Sequence, residues 1–152
     1  MKNLILIMKT IFLKTLFLLL LPATTLNAQN IDVAITGIRS GKGQIVIGVF
    51  KDSESYQKEE AFVSKSFKKN VTPDGEMRVQ FSLEPGVYGL CLLDDEDCDA
   101  KMKYNFIKMP KEGFGFSDYY FKGIKKPKFD SFKFTLSKGQ QKSIKIRVRY
   151  IL

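Results

Sequence analysis

The sequence predicts an all-β protein, a sandwich of about seven strands of immunoglobulin-like or transthyretin-like type with one long loop between strands five and six. Two observations lead to this prediction. Apolar and polar residues alternate in short runs, which is typical of strands that bury one face. Turn sequences containing glycine or proline separate these runs, as in two-sheet sandwiches.

The first four strands follow from this alternation. Ile31, Val33 and Ile35 share one face of strand one. Residues 45–49 alternate in the same way after a Gly-Lys-Gly turn, so we expect an opening hairpin. Strand three is predicted at residues 62–67, after a polar stretch that could form one helical turn. A Pro-Asp-Gly turn then leads into strand four at residues 77–81.

The remaining strands lie on either side of a long irregular segment. Strand five contains Tyr88, Leu90 and Leu92, whereas residues 94–128 show no sustained periodicity. Strands six and seven are predicted at residues 132–136 and 144–150. Loops this long inside a compact domain are usually functional or disordered, and the aromatic residues of this one argue against disorder.

Residues 1–28 have the pattern of a secretory signal peptide. Three lysines precede an apolar run at residues 16–21, and small polar residues follow Pro22. A membrane span needs about 20 consecutive apolar residues, and Lys9 and Lys14 interrupt this segment, so we expect it to be removed and not to span a bilayer. Cleavage is expected after Ala28, which leaves no transmembrane anchor after processing. Residues 29–152 are then one domain of a secreted or periplasmic protein.

The two cysteines, Cys91 and Cys98, flank an acidic run. In an oxidising compartment this spacing predicts a disulfide, and the alternatives are a buried free thiol or a reactive one. The chain has no histidine, so a Cys-His nucleophile pair is excluded.

The net charge of the chain is moderately positive. Removal of the leader, which holds three lysines and no acid, lowers the net charge from +9 to +6. This excess could favour anionic envelope polymers or lipid head groups, but a solvated surface explains scattered lysines equally well. No nucleic-acid binding is expected, because no recognised motif accompanies the charge.

Three alternating carboxylates suggest a metal site. Asp95, Asp97 and Asp99 have the spacing of the first half of a calcium loop. However, Ala100 stands where the glycine of the sharp turn is expected, and Phe106 stands at the twelfth position in place of a glutamate. A Ca²⁺ site and a solvated acidic turn therefore both remain open.

Aromatic residues are concentrated in residues 113–121. The candidate binding residues are Phe114, Phe116, Tyr119 and Tyr120, which could stack on sugar rings or anchor a partner protein. Alternatively, these side chains fold inward and cover a sheet edge or one end of the core.

Several motifs together resemble the bacterial domain of unknown function 2141 (DUF2141). They are Glu-Pro-Gly-Val-Tyr at 84–88, the acidic segment 95–102, Asn105, Pro-Lys-Glu-Gly-Phe-Gly-Phe-Ser at 110–117, Pro127, Phe129 and Ile-Arg-Val-Arg-Tyr at 146–150. The resemblance covers nearly all of the chain after the leader and implies a small exported β-sandwich of unassigned activity. Cys98, Ala100 and Lys103 depart from the family's usual acidic segment, which reads Asp-x-Asn-x-Asn-Gly-Lys followed by another Asp.

The preferred interpretation is an exported, non-enzymatic β-sandwich that binds an envelope or extracellular component. The alternative is a calcium-dependent binding module that uses the acidic loop, and Ca²⁺ is the one cofactor considered. A third is a polymer hydrolase that pairs a carboxylate of residues 94–99 with Glu112. We predict no catalytic residues, because general acid-base and nucleophilic chemistry usually recruits histidine.

Overall fold

The computed structural model describes residues 30–107 and 109–151 and contains eight strands in two sheets. The predicted leader lies outside the described residues. The strands are β1 (Ile31–Thr36), β2 (Gln44–Phe50), β3 (Val63–Lys68), β4 (Met77–Phe81), β5 (Gly86–Asp95), β6 (Gly113–Phe116), β7 (Lys133–Leu136) and β8 (Lys142–Arg147). There is also a short helix, α1 (Ser53–Gln57), and a 3-10 turn (Phe129–Ser131). The predicted all-β sandwich is confirmed, with one strand more than the seven expected.

The extra strand, β6, lies inside the segment that was predicted to be a loop. One sheet has the order β4-β1-β8, with β1 and β8 parallel, and the other has the order β3-β2-β5-β6. β7 also pairs with β5, so β6 and β7 follow one another along the same edge of that long strand. A four-residue strand made of Gly-Phe-Gly-Phe carries too little alternation to be recognised from the sequence.

The expected hairpin of strands one and two is wrong, because these strands belong to different sheets. β1 pairs with β4 and β8, whereas β2 pairs with β3 and β5. The connection, residues 37–43, is too long for a tight two-residue hairpin and crosses the end of the sandwich. Gly43 has a φ of +74°, and a Cβ there would lie 2.0 Å from the Asp95 carbonyl oxygen, so only glycine fits this crossing.

The main core lies between the two sheets. It contains the inward-facing residues that the alternation predicts, including Ile31, Val33 and Ile35 of β1 and Leu90 and Leu92 of β5. A second cluster of buried side chains lies on the opposite, outer face of the five-stranded sheet and is mostly aromatic. That sheet is therefore covered on both faces.

The glycines of β6 allow this strand to pack directly against β8. A Cβ at Gly115 would lie 2.5 Å from Ile146 Cγ2, and one at Gly113 would lie 2.4 Å from the Tyr150 ring. Phe114 and Arg149 exchange two backbone hydrogen bonds of 3.0 and 2.8 Å, which join the two sheets at this edge. The glycines thus allow close approach, while Phe114 and Phe116 point to the outer face.

Ser117 occupies the place where β6 ends and β7 begins along β5. Its buried hydroxyl donates to the Phe132 carbonyl at 2.6 Å and accepts from the Leu90 backbone N–H at 2.9 Å. These hydrogen bonds satisfy backbone groups that neither neighbouring strand reaches. Ser117, the last residue of the motif at 110–117, therefore has a structural role.

Both sheets and both apolar clusters lie within residues 30–151, so we expect this part of the chain to fold without the leader. Among the described residues, none of the helices has the length and apolar character needed to cross a bilayer.

Candidate functional site

A cavity of about 490 Å³ lies on the outer face of the five-stranded sheet. Its floor is formed by outward-facing residues of the central strands, including Val46 and Phe50 of β2 and Cys91 and Leu93 of β5. Gly48 also faces this side, and a Cβ there would lie 3.2 Å from the Phe50 ring. This volume falls in the range of about 300–1,000 Å³ that is typical of small-molecule sites.

Strand β2 explains why this outer face is apolar. Its sequence, Gln-Ile-Val-Ile-Gly-Val-Phe, places apolar residues on both faces, with Val46 and Phe50 buried on the outside and Ile45, Ile47 and Val49 on the inside. A continuous apolar run is typical of a strand covered on both faces. This signal was available in the sequence and could have indicated a second apolar layer.

Three segments form the walls of the cavity. Helix α1, whose N-cap Asp52 accepts a hydrogen bond from Ser55 N–H at 2.8 Å, contributes Tyr56. The segment of residues 102–110 contributes Met102, Tyr104 and Pro110, and residues 121–127 contribute Phe121, Ile124 and Pro127. The Arg149 guanidinium holds the third segment, because it donates to the carbonyls of Phe121 and Gly123 at 2.9 Å each.

The hydroxyl of Tyr56 is the most informative polar atom in the cavity wall. It is buried, and no hydrogen-bond partner for it is found within the described residues. Burial raises the pKa of Tyr56, so the group remains a neutral donor at neutral pH. An unpaired buried hydroxyl is destabilising by about 1–3 kcal/mol, and a bound molecule with an acceptor atom would relieve this penalty.

A charged group also borders the cavity. Lys126 Nζ donates to the Tyr56 carbonyl at 2.8 Å and to the Glu59 carboxylate at 3.1 Å, and it lies 4.4 Å from the centre of the Tyr56 ring. Lys126 and Glu59 both line the opening. The site therefore combines mostly apolar walls with a few polar groups, as ligand pockets usually do.

The predicted disulfide is not formed, because Cys91 and Cys98 are both free cysteines. Cys91 faces the outer aromatic cluster, and β5 continues for four residues beyond it, which is about 13 Å along the strand. Cys98 lies in the exposed turn that follows, outside the aromatic cluster. Burial raises the pKa of the Cys91 thiol, so this residue acts as an apolar lining group and not as a thiolate.

The three predicted metal ligands do come together. Oxygen atoms of Asp95, Asp97 and Asp99 lie within 4.8 Å of one another. However, the Lys103 ammonium forms salt bridges with Asp97 and with Asp99, the latter at 3.0 Å. An ammonium of the chain itself is thus already paired with two of the three carboxylates, and calcium binding here stays a prediction.

Asp95 organises the acidic turn. Its carboxylate accepts hydrogen bonds from the Gln44 side chain at 2.7 Å and from the N–H groups of Asp99 and Ala100 at 3.1 and 2.9 Å. Burial alone would raise the pKa of Asp95, but these hydrogen bonds outweigh it and lower the pKa. Cys98 and Ala100 have φ values of +62° and +58°, in the left-handed region that favours glycine.

The carboxylates considered for hydrolysis have other partners. Glu112 is buried and accepts a hydrogen bond from the Lys103 N–H at 3.1 Å. Burial, followed by the nearby charges of Asp97, Asp95 and Asp99, raises the pKa of Glu112. Asp94 is fully buried on the inner side of the sheet, and the hydrolase hypothesis stays a prediction.

The four predicted aromatic binding residues separate into two pairs. Phe114 and Phe116 are buried in the outer cluster and line the cavity. Tyr119 packs against that cluster with its ring centre 6.4 Å from that of Phe121. Tyr120 is exposed and lies 4.6 Å from the Arg147 guanidinium. Neither tyrosine lines the cavity, whereas Tyr56 and Lys126, which the sequence did not single out, do.

Comparison with known proteins gives one match. No curated protein and no solved structure matches the chain. The family model described as an uncharacterized protein conserved in bacteria (DUF2141) matches residues 33–145, which include β2 to β7 in full and parts of β1 and β8. The resemblance seen in the sequence motifs is confirmed, and the chain belongs to the DUF2141 family of bacterial proteins.

Proposed function

We propose that this protein is an exported, non-enzymatic binding protein that holds an apolar molecule of the cell envelope or its surroundings in the outer cavity. The unpaired hydroxyl of Tyr56 is the observation that carries the proposal, because an acceptor atom of a bound molecule would satisfy it. The apolar lining and the volume of about 490 Å³ support a ligand that is largely hydrocarbon or aromatic. Export is supported by the signal-peptide pattern of residues 1–28.

The polar groups narrow the chemistry of this ligand. One acceptor atom would face Tyr56, and an anionic or carbonyl group would lie near Lys126 at the opening. An amphipathic molecule with one polar head, such as a fatty acid, fits this arrangement. Its apolar part would pack on Phe114 and Phe116.

The test uses the fluorescent fatty acid 11-(dansylamino)undecanoic acid and the chain from residue 29 onward. We expect saturable binding, with displacement of the probe by unlabelled fatty acid. Tyr56→Phe should weaken probe binding several-fold while leaving stability unchanged or raised, because the substitution removes an unpaired buried hydroxyl.

A matched pair of variants on β3 tests whether the probe occupies this cavity. Ser64 lines the cavity beside Gly48, its partner in the strand register, whereas Ser66 is on the same exposed face of the strand and does not line it. Ser64→Trp should place an indole ring in the cavity that Ser64 lines and abolish binding, and Ser66→Trp should bind normally. Equal probe affinity of the two variants, or no saturable binding by the unmodified chain, would overturn the proposal.

A further inference from the structure

We propose that two loop tips beside the cavity dock the protein onto a lipid bilayer that contains anionic head groups. The first tip is residues 105–107 and 109, and the second is residues 122–126. This inference concerns an outer surface of the protein and does not depend on which molecule the cavity holds.

The first tip presents apolar side chains to solvent in a defined turn. Phe106 is 97% exposed and Ile107 is 64% exposed. The side-chain oxygen of Asn105 accepts hydrogen bonds from the N–H groups of Ile107 and Met109 at 3.1 and 2.9 Å. Backbone hydrogen bonds of Asn105 N–H to Met109 and of Lys111 N–H to Lys103 close the base of the turn. These hydrogen bonds define the turn in which Phe106 is exposed.

The second tip also presents an apolar side chain to solvent. Ile124 is 78% exposed, and its neighbours Lys122, Gly123 and Lys125 are exposed as well. The hydrogen bonds from Arg149 to the carbonyls of Phe121 and Gly123 hold this segment in place. Most of the Ile124 side chain is therefore in contact with solvent beside the exposed Lys122 and Lys125.

Both tips lie in segments that carry positive charge and no negative charge. Residues 101–111 contain four lysines and no acid, and residues 119–129 also contain four lysines and no acid. Lys103 and Lys126 pair with carboxylates of neighbouring segments, which leaves Lys101, Lys111, Lys122 and Lys125 among the exposed cations. Lysines near a bilayer are attracted to anionic head groups.

The two tips border the same cavity. Tyr104 and Pro110, at the base of the first tip, line its wall, and so do Ile124 and Lys126 of the second. Insertion of both tips would therefore bring this wall close to the bilayer surface. The apolar residues would enter the interface while the lysines contact the head groups.

The composition favours a bilayer over a protein partner. The cores of protein–protein interfaces are depleted in lysine, whereas each of the two segments that carry these tips contains four lysines. Separate apolar tips with lysines around them suit shallow insertion into a fluid interface better than a flat complementary contact.

The absence of tryptophan from the sequence allows a direct test. Phe106→Trp and Ile124→Trp each introduce one fluorophore at a tip, and Phe62→Trp places one at an exposed phenylalanine of neither tip. With vesicles of phosphatidylethanolamine and phosphatidylglycerol, we expect a blue shift and quenching by brominated lipid for the two tip variants. We expect no change for Phe62→Trp. An equal response of all three variants, or no response at the tips, would overturn the inference.

Vesicle sedimentation of the unlabelled chain from residue 29 onward tests whether lysines of the tips attract the protein to anionic lipid. Binding should be strong with phosphatidylglycerol vesicles at low salt and weak with pure phosphatidylcholine. Lys122→Gln with Lys125→Gln should lower the partition coefficient roughly ten-fold or more. The control pair, Lys68→Gln with Lys138→Gln, removes the same charge from exposed positions outside the tips and should have a much smaller effect. Equal losses for both pairs would mean that net charge, and not these tips, attracts the protein.

Discussion

Lys69 and Asp94 form an ion pair whose two side chains are completely buried. Lys69 Nζ also donates to the Ser40 carbonyl at 3.1 Å, and the Tyr150 hydroxyl donates to the second oxygen of Asp94. Burial and the hydrogen bond to Asp94 raise the pKa of Tyr150. This network joins residues 37–43, which cross from one sheet to the other, to the end of β5 and to the C-terminal segment.

We expect Lys69→Met to destabilise the protein by about 3–5 kcal/mol, because it leaves the Asp94 carboxylate buried without its cation. Adding Asp94→Asn should recover part of this loss, since the amide oxygen can still accept from Tyr150 and no buried charge remains. Urea unfolding of both single variants and the double variant gives the coupling energy. Additive losses in the double variant would contradict a direct interaction.

Gly115→Ala should destabilise the protein by about 1–3 kcal/mol, the usual range for overpacking a core. The added Cβ would lie 2.5 Å from Ile146 Cγ2 and 3.0 Å from the Arg147 carbonyl oxygen, so β6 and β8 would have to separate. Gly41→Ala is the matched control, because no atom lies within 4 Å of the Cβ position there. Chemical denaturation should show a clear loss for the first variant alone, and similar losses for both would contradict close packing at β6.

Glu96→Gln should lower the free energy of unfolding at pH 7 by about 1–2 kcal/mol, because it removes a hydrogen-bonded charge that solvent partly screens. Arg39 donates to the two oxygens of Glu96 at 3.0 and 2.7 Å, and Ser40 donates at 2.8 Å. The Arg39 hydrogen bonds lower the pKa of Glu96 to about 2.

Because the folded-state pKa of Glu96 is below its ordinary value, the stabilisation is present above the unfolded pKa of about 4.5. It is lost as the pH falls towards about 2. The stability gap between the unmodified chain and Glu96→Gln should therefore close between these pH values in urea titrations. Glu60→Gln, at an exposed carboxylate, is the control. A gap that stays constant over this range would show that the ionised carboxylate contributes nothing.

The calcium hypothesis is tested at Lys103. Its salt bridges raise the pKa of Lys103, and the hydrogen bond from Lys103 lowers the pKa of Asp99. We expect no rise in melting temperature with millimolar Ca²⁺ for the unmodified chain and a rise of a few degrees for Lys103→Ala, because the Lys103 ammonium no longer pairs with Asp97 and Asp99. Lys101→Ala, which keeps Lys103, should behave like the unmodified chain. A Ca²⁺-dependent rise in the unmodified chain that disappears in Asp97→Ala would instead establish the calcium alternative.

The class of fold and the inward faces of most strands follow from local patterns in the amino-acid sequence. Ile31, Val33 and Ile35 alternate with polar residues, and this period of two is a local property of the chain. The family could also be identified, because its motif at residues 110–117 contains residues with strict local roles. Gly115 permits contact with β8, and Ser117 joins the ends of two strands.

The pairing of the strands and the location of the site depend on contacts between residues that are distant in the sequence. Turn residues show that the chain bends after β1 but not which sheet the next strand enters, because that depends on distant contacts such as Gly43 against Asp95. Likewise, Tyr56 and Lys126 are 70 residues apart in the sequence and become neighbours only when the segment of residues 121–127 folds over the outer face. Whether the Tyr56 hydroxyl is paired is a property of the assembled cavity, and no local pattern encodes it.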